Sequence, residues 1–110
     1  MEHLDYDTLN TLKQVMEDDF ALLLDTFVQD STERISTLRE VIKGTDADLI
    51  RRAAHSFKGS SSNIGASQLA ALCFELEKKA LEKRLDALAV DLDSIEKEFA
   101  HVLVLLRSLS

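Results

Sequence analysis

The segment from Arg51 to Ala66, RRAAHSFKGSSSNIGA, combines residue types that could carry a phosphoryl group. His55, Lys58 and Ser62 recur at steps of three and four residues, so a helix would place them on one face. An imidazole attacks phosphorus through a ring nitrogen that carries no proton, and histidine side chains titrate close enough to neutral pH to supply that form. The spacing therefore makes His55 a candidate phosphoryl acceptor.

Two neighbours of His55 fit the same chemistry. A phosphoryl group adds a charge of about −2 and three acceptor oxygens, and Lys58 is placed one helical turn away to meet them. Gly59 lies four residues after His55, where a helical glycine costs about 0.5–1 kcal/mol relative to alanine. Its missing side chain leaves room for a phosphoryl group and for an approaching protein surface, and the serines at 60–62 keep the area uncluttered.

The helix that carries His55 has an apolar side that predicts how it packs. Residues of this side recur at helical spacing, as expected for a helix against a core: Leu49, Ile50, Ala53, Ala54 and Phe57. His55 is therefore predicted to point outward.

Apolar periodicity predicts five helices in all, at 6–16, 19–43, 47 to 61 or 62, 66 or 67 to 83, and 85–109. With no proline and three glycines in 110 residues, few breakers interrupt them. Short connections between long helices make neighbours antiparallel. The predicted fold is one all-α domain over 1–110, an antiparallel up-down four-helix bundle with a short additional N-terminal helix.

The predicted helix ends carry recognisable capping residues. Either Asp5 or Asp7 could cap the first helix, and either Thr45 or Asp46 the third. Gly44 is expected in a left-handed cap after the second helix, and Gly65 in the turn after the third.

The last helix repeats apolar residues in steps of 4, 3, 4, 3 and 4, which is typical of a coiled-coil seam: Leu88, Leu92, Ile95, Phe99, Val102 and Leu106. Such a stripe can serve either a bundle core or a dimer interface. A bundle core is the more common use, so we expect a monomer.

The charge and the cysteine content limit the partners and the compartment. The net charge of −7 argues against nucleic acid, which selects basic surfaces. Cys73 is the only cysteine, so no internal disulfide can form. The longest apolar run, 69–74, is far shorter than the ~20 residues of a membrane span. The N-terminus lacks the pattern of a signal peptide. We expect a cytoplasmic protein that does not bind a membrane.

A basic cluster surrounds His55 although the chain is acidic. Between residues 51 and 62 there are three cations, Arg51, Arg52 and Lys58, and no acid. The two arginines could guide the docking of an acidic partner cleft. They could equally be solvated helix charges without a role, and the sequence leaves both interpretations open.

The motif AHSFKGSSSNIGA, followed downstream by LAALCFELE, resembles the histidine-containing phosphotransfer (HPt) domain of bacterial multistep phosphorelays. The resemblance implies that His55 accepts a phosphoryl group from an aspartyl phosphate on the receiver domain of a hybrid sensor kinase and passes it to an aspartate of a response regulator. It also implies that Lys58 steadies the phosphoryl oxygens and that Gly59 gives access. Arg51, Arg52 and Ser62 would then contact the partner.

The same resemblance implies a role for Glu77 and for the partner's metal. In similar domains a Gln or Glu at this place hydrogen-bonds the ring nitrogen that is not phosphorylated, so Glu77 would fix the tautomer of His55. The domain would need no cofactor of its own, since the receiver supplies Mg²⁺. The chain also has no Gly-rich phosphate loop, so we expect no ATP site and no autonomous kinase activity.

Other interpretations remain beside the phosphoryl carrier. The bundle could be a non-catalytic adaptor that binds a partner protein, with His55 incidental. An enzyme with its own substrate is less well supported, because the chain offers no carboxylate dyad or cofactor loop. A metal site built from His3, His55, His101 and Cys73 lacks ligand spacing. We expect His3 in a frayed N-terminus and His101 exposed on the last helix. The span from Met1 to just beyond the last helix favours a free-standing carrier.

Overall fold

Five α-helices make up most of residues 2–109, which are the residues that the computed structural model describes. They are α1 (Tyr6–Met16), α2 (Phe20–Val41), α3 (Ala47–Asn63), α4 (Ser67–Leu81) and α5 (Leu88–Arg107), with a 3₁₀ turn at Glu17–Asp19. Helices α2 to α5 form the predicted antiparallel bundle, and α1 packs on α2. No strand occurs within the described residues. None of their helices has the length and apolar character that crossing a bilayer requires.

The predicted number and order of helices are confirmed, whereas several of their ends differ. α4 stops at Leu81 because Lys83 adopts a left-handed conformation, with φ of 58°. The Arg84 N–H then reaches the Lys79 carbonyl at 2.8 Å and closes a Schellman turn. α5 begins only at Leu88, after a second left-handed residue, Ala87.

The capping predictions were partly right. Asp5 caps α1 by accepting bonds from the Asp7 and Thr8 N–H groups, and Asp46 caps α3 in the same manner. The prediction for Gly44 was wrong, since Gly65 is the one glycine of the three with a positive φ. α2 ends at Val41, and the Gly44 N–H bonds the Val41 carbonyl at 3.2 Å, so the turn closes without a left-handed residue.

Gly65 forms a Schellman turn between α3 and α4. Its φ is 82°, and the Ala66 N–H bonds the Ser61 carbonyl at 2.8 Å. Ile64 is buried beneath the turn. The Gly65 carbonyl also accepts the Asp5 N–H at 2.7 Å, which ties the start of α1 to this turn.

The core lies between α2, α3, α4 and α5. All six residues of the predicted seam on α5 are buried. On α3 the buried stripe is Ile50, Ala54, Phe57 and Ser61, whereas the prediction that Leu49 packs in the core was wrong: its side chain is 49% exposed. Consecutive helical residues differ by about 100° in direction, which turns Leu49 away from the stripe that Ile50 begins.

Cys73 of α4 is a fully buried free thiol. Burial, together with the nearby Glu77 carboxylate, raises the pKa of this thiol to about 12. The thiol is therefore protonated and unreactive in the folded protein.

The prediction that His3 lies in a frayed N-terminus was wrong. Its Nδ1 lies 2.7 Å from Oε2 of Glu98, a carboxylate of α5 that is only 3% exposed. The ring of His3 stacks on that of His101, with centroids 4.8 Å apart, and Leu4 is buried beside it. Residues 3 and 98 are too far apart along the chain for periodicity to pair them.

Candidate functional site

His55 lies in the middle of α3 with its side chain 62% exposed, as its place opposite the buried stripe requires. Asp46 fixes the start of this helix and the Gly65 turn fixes its end. α3 packs more extensively against α4 than any other pair of helices in the described chain. The imidazole is therefore presented from a rigid element and not from a loop.

Glu77 of α4 lies across from His55 and joins it to Lys58. The chain reverses at the Gly65 turn, which brings position 77 back beside the middle of α3. Oε2 of Glu77 lies 2.6 Å from Nδ1 of His55, and Oε1 accepts a hydrogen bond of 2.6 Å from Nζ of Lys58. The Glu77 side chain is only 13% exposed, so both bonds form in a partly desolvated place.

The bond to Glu77 determines the tautomer of a neutral His55. An ionised carboxylate only accepts hydrogen bonds, so Nδ1 must carry the ring proton. Nε2 then keeps a free lone pair. Among residues 2–109 no group hydrogen-bonds Nε2, which leaves that nitrogen open to an incoming electrophile.

Glu77 is held in its ionised form. Burial by itself would raise the pKa of this carboxyl, but the hydrogen bonds from Lys58 and His55, with the positive charge of Lys58, outweigh burial and lower the pKa below its ordinary value of 4.5. A carboxylate is therefore present at the site throughout the neutral range.

Lys58 has a second contact besides Glu77. Its Nζ lies over the ring of Phe74, 5.1 Å from the centroid. Phe74 belongs to α4, three residues before Glu77, and is 49% exposed. The sequence interpretation missed this residue, although an aromatic side chain one turn before Glu77 and off the buried stripe was a usable signal.

Gly59 is exposed on the same side of α3. A Cβ atom built at this position would meet no atom within 4 Å. The open space at Gly59 therefore faces solvent and not another part of the protein.

The structure does not bring Arg51, Arg52 or Ser62 into contact with His55. Both arginines instead bond Asp48, Arg51 through Nη2 and Arg52 through Nε, at 2.9 Å each. The hydrogen bond from Arg51, with the charges of both arginines, outweighs desolvation and lowers the pKa of Asp48. Ser62 is exposed near the C-terminal end of α3.

The four residues of the alternative metal site do not form one. His3 bonds Glu98 and stacks on His101, whereas His55 bonds Glu77 and Cys73 is buried in the core. Residues 2–109 contain no group of three or more His, Cys, Asp or Glu side chains suited to a metal ion.

A protein-family model and several solved structures match this chain. The sequence model of the Hpt domain family matches residues 22–108. Histidine-containing phosphotransfer protein B (HptB) of Pseudomonas aeruginosa is 45% identical, with a TM-score of 0.94 over 96% of this chain and 92% of that one. A search of curated proteins gave no match.

Two plant structures share the fold at low identity. A putative histidine-containing phosphotransfer protein from rice is 16% identical, with a TM-score of 0.86 over 96% of this chain and 78% of that one. ZmHP2, a histidine-containing phosphotransfer protein from maize, is 22% identical, with a TM-score of 0.84 over 97% and 88%.

Proposed function

The chain belongs to the Hpt domain family, and we propose that it carries a phosphoryl group on Nε2 of His55 between receiver domains. It would accept the group from an aspartyl phosphate on the receiver of a hybrid sensor kinase and deliver it to an aspartate of a response regulator. The observation that carries this assignment is an exposed imidazole whose Nδ1 is hydrogen-bonded to a mostly buried carboxylate.

The transfer step uses the free lone pair of Nε2. The N–P bond forms while the P–O bond of the aspartyl phosphate breaks, and the bonding electrons return to the aspartate carboxylate. The Nδ1 proton stays between His55 and Glu77, whose negative charge stabilises the positive charge that develops on the ring. The reverse transfer follows the same path.

Lys58 and Gly59 would assist in different ways. The ammonium group of Lys58 has three N–H donors, of which Glu77 uses one, so donors remain for the phosphoryl oxygens. The absent side chain of Gly59 would let the receiver surface approach the imidazole. Positioning and charge neutralisation contribute most of the catalysis in such transfers, and the receiver would supply the Mg²⁺ ion.

The partner contacts are proposed on position and charge. Arg51 and Arg52 lie one turn before His55 and Ser62 lies two turns after it, so a docked receiver would cover all three. Asp48 neutralises part of the arginine charge in the free protein. An acidic cleft on the receiver would compete with Asp48 for these guanidinium groups.

The proposed carrier acts as a cytoplasmic monomer without kinase activity of its own. The seam of α5 is used in the bundle core, which supports the monomer. Sedimentation at several concentrations and incubation with labelled ATP would test the two statements.

Transfer of label from a receiver tests the function directly. The purified protein is mixed with a receiver domain that carries a labelled aspartyl phosphate, and the acid and base stability of the acquired label is measured. We expect acid-labile, base-stable label that is absent in His55→Ala and retained in His101→Ala, a matched exposed histidine on α5. Label that persists in His55→Ala would exclude His55, and receiver binding without transfer of label would favour an adaptor.

A further inference from the structure

We propose that Phe74 is a positioning residue of this site, whose ring holds the ammonium group of Lys58 beside Glu77 and His55. The proposal rests on the phosphoryl-carrier function, because it concerns how Lys58 is presented to the phosphoryl group. It assigns a role to a side chain that neither touches His55 nor belongs to the core.

Phe74 and Glu77 both contact the ammonium group of Lys58. They lie three residues apart on α4 and therefore share a face of that helix. Nζ of Lys58 is 2.6 Å from Oε1 of Glu77 and 5.1 Å from the centroid of the Phe74 ring. Both contacts cross from α3 to α4, so they fix the lysine against a second rigid element.

The two contacts are not equivalent. Glu77 takes one of the N–H donors of Lys58, whereas an aromatic face attracts the cation as a whole without taking a directional donor. The ring can therefore hold the ammonium group while its remaining N–H groups turn toward phosphoryl oxygens. A lysine side chain loses much rotamer freedom when it is held, and a contact made before the phosphoryl group arrives reduces that loss during the transfer.

The exposure of Phe74 supports a contact role and not a core role. Its immediate neighbour Cys73 is fully buried, while nearly half of the Phe74 side chain is exposed. Lys58 is only 28% exposed, although lysine side chains normally extend into solvent. The partly buried lysine side chain and the half-exposed ring thus lie together at the edge of the site.

A small phosphodonor separates positioning from receiver docking. Phosphoramidate needs no receiver: its P–N bond breaks as the bond to Nε2 forms, and ammonia leaves. Uptake by the wild type and the half-life of its phosphohistidine are compared with those of Phe74→Leu and Phe74→Tyr. Leu81→Ala is the matched control, because Leu81 is an exposed apolar residue on the same helix.

We expect Phe74→Leu to slow uptake and to shorten the phosphohistidine half-life, each by about two- to fivefold, the factor that an exposed cation–π contact supports. Phe74→Tyr and Leu81→Ala should behave as the wild type. In a Lys58→Ala background, Phe74→Leu should have no further effect, because the ring would act through the lysine.

Three results would overturn the proposal: unchanged kinetics in Phe74→Leu, an equal loss in the Lys58→Ala background, or a loss seen with a receiver but not with phosphoramidate. Nuclear magnetic resonance gives a check that needs no phosphorylation. The ε-methylene protons of Lys58 should show a ring-current shift that Phe74→Leu abolishes and Phe74→Tyr keeps, and its absence in the wild type would also overturn the proposal. Failure of the wild type to take up phosphate, with that shift present, would instead count against the phosphoryl-carrier function.

Discussion

Glu77 is mostly buried, yet each of its carboxylate oxygens accepts a hydrogen bond from α3. The same carboxylate therefore selects the tautomer of His55 and anchors Lys58. The position of Glu77 was predicted only through the family resemblance, because the register between two helices cannot be read from the periodicity of either one. The contact of Phe74 with Lys58 depends on the same register and was not found.

The lowered pKa of Glu77 predicts how its contribution to stability varies with pH. The folded protein binds the proton at Glu77 more weakly than the unfolded chain does, so the contribution is complete above the ordinary pKa of 4.5 and is lost as pH falls through the lower folded pKa. Glu77→Gln should reduce the free energy of unfolding by about 1–3 kcal/mol near neutral pH. The difference from the wild type should shrink as the pH falls below 4.5.

Urea unfolding of both proteins across this pH range measures the difference. Glu75→Gln serves as control, because Glu75 is an exposed carboxylate on the same helix. A difference that stays constant with pH would contradict the assignment of the lowered pKa to the hydrogen bonds of Glu77.

Two substitutions at Gly59 test its role, one by its effect on stability and the other by its effect on phosphoryl transfer. A Cβ at this position meets no atom, so Gly59→Ala should stabilise the protein by about 0.5–1 kcal/mol. Gly59→Gln should leave uptake from phosphoramidate near the wild-type rate but slow transfer from a receiver by about tenfold or more, the effect of about 1.4 kcal/mol of lost docking. If Gly59→Gln accepted the phosphoryl group from a receiver as fast as the wild type does, the access role of Gly59 would be refuted.

At the scale of elements, the bounds of α4 and α5 show where prediction from sequence ended. Helix type and order follow from apolar periodicity, and aspartates identified the N-caps of α1 and α3 to within two residues. Lys83 and Ala87 adopt left-handed conformations, although neither residue type favours them, so the sequence did not predict these turns. Gly44 shows the opposite error, because a glycine permits a positive φ without requiring it.

The Gly65 turn contacts three helices, and the effect of replacing Gly65 by alanine can be compared with that of the same change at Gly44. A Cβ at Gly65 would lie 3.1 Å from the Asp5 carbonyl oxygen and 3.2 Å from Cβ of Thr8, with φ at 82°. Gly65→Ala should lower the free energy of unfolding by about 1–3 kcal/mol.

Gly44→Ala is the matched control, since its Cβ would meet only the Val41 carbonyl oxygen at an ordinary 3.6 Å and its φ is not positive. We expect a change within about 0.5 kcal/mol. Thermal unfolding of both variants measures the contrast, and equal effects would contradict the expectation that the positive φ and the close approach of α1 make Gly65 the more sensitive position.

At the scale of the whole molecule, the N-terminal segment is attached to two parts of the bundle that lie far apart in the sequence. Asp5 bonds the Gly65 turn, and His3 bonds Glu98 on α5. Nothing in the sequence indicated the second attachment, because it depends on a carboxylate that is buried only once the bundle has assembled. The overall fold was predictable, but the attachment of His3 to Glu98 of α5 was not.

The His3 attachment predicts a stability change in a region without a proposed part in the transfer. His3→Ala leaves the buried Glu98 carboxylate without its partner and should destabilise the protein by about 1–3 kcal/mol. In a Glu98→Gln background the same change should matter less, because no buried charge is left unpaired. Denaturant unfolding of the wild type, the two single variants and the double variant completes this double-mutant cycle. Strictly additive effects on the free energy of unfolding would mean that the two side chains do not interact in solution.

The buried thiol of Cys73 makes the protein its own reporter of opening motions. Because the side chain is fully buried on α4 and protonated, a thiol reagent can label it only during the moments when α4 separates from its neighbours. As the chain has no other cysteine, the labelling rate measures that population without any engineered probe. A labelling rate that falls on phosphorylation would mean that the modification tightens the helix pair, so the loaded and empty carriers would differ in dynamics as well as in charge.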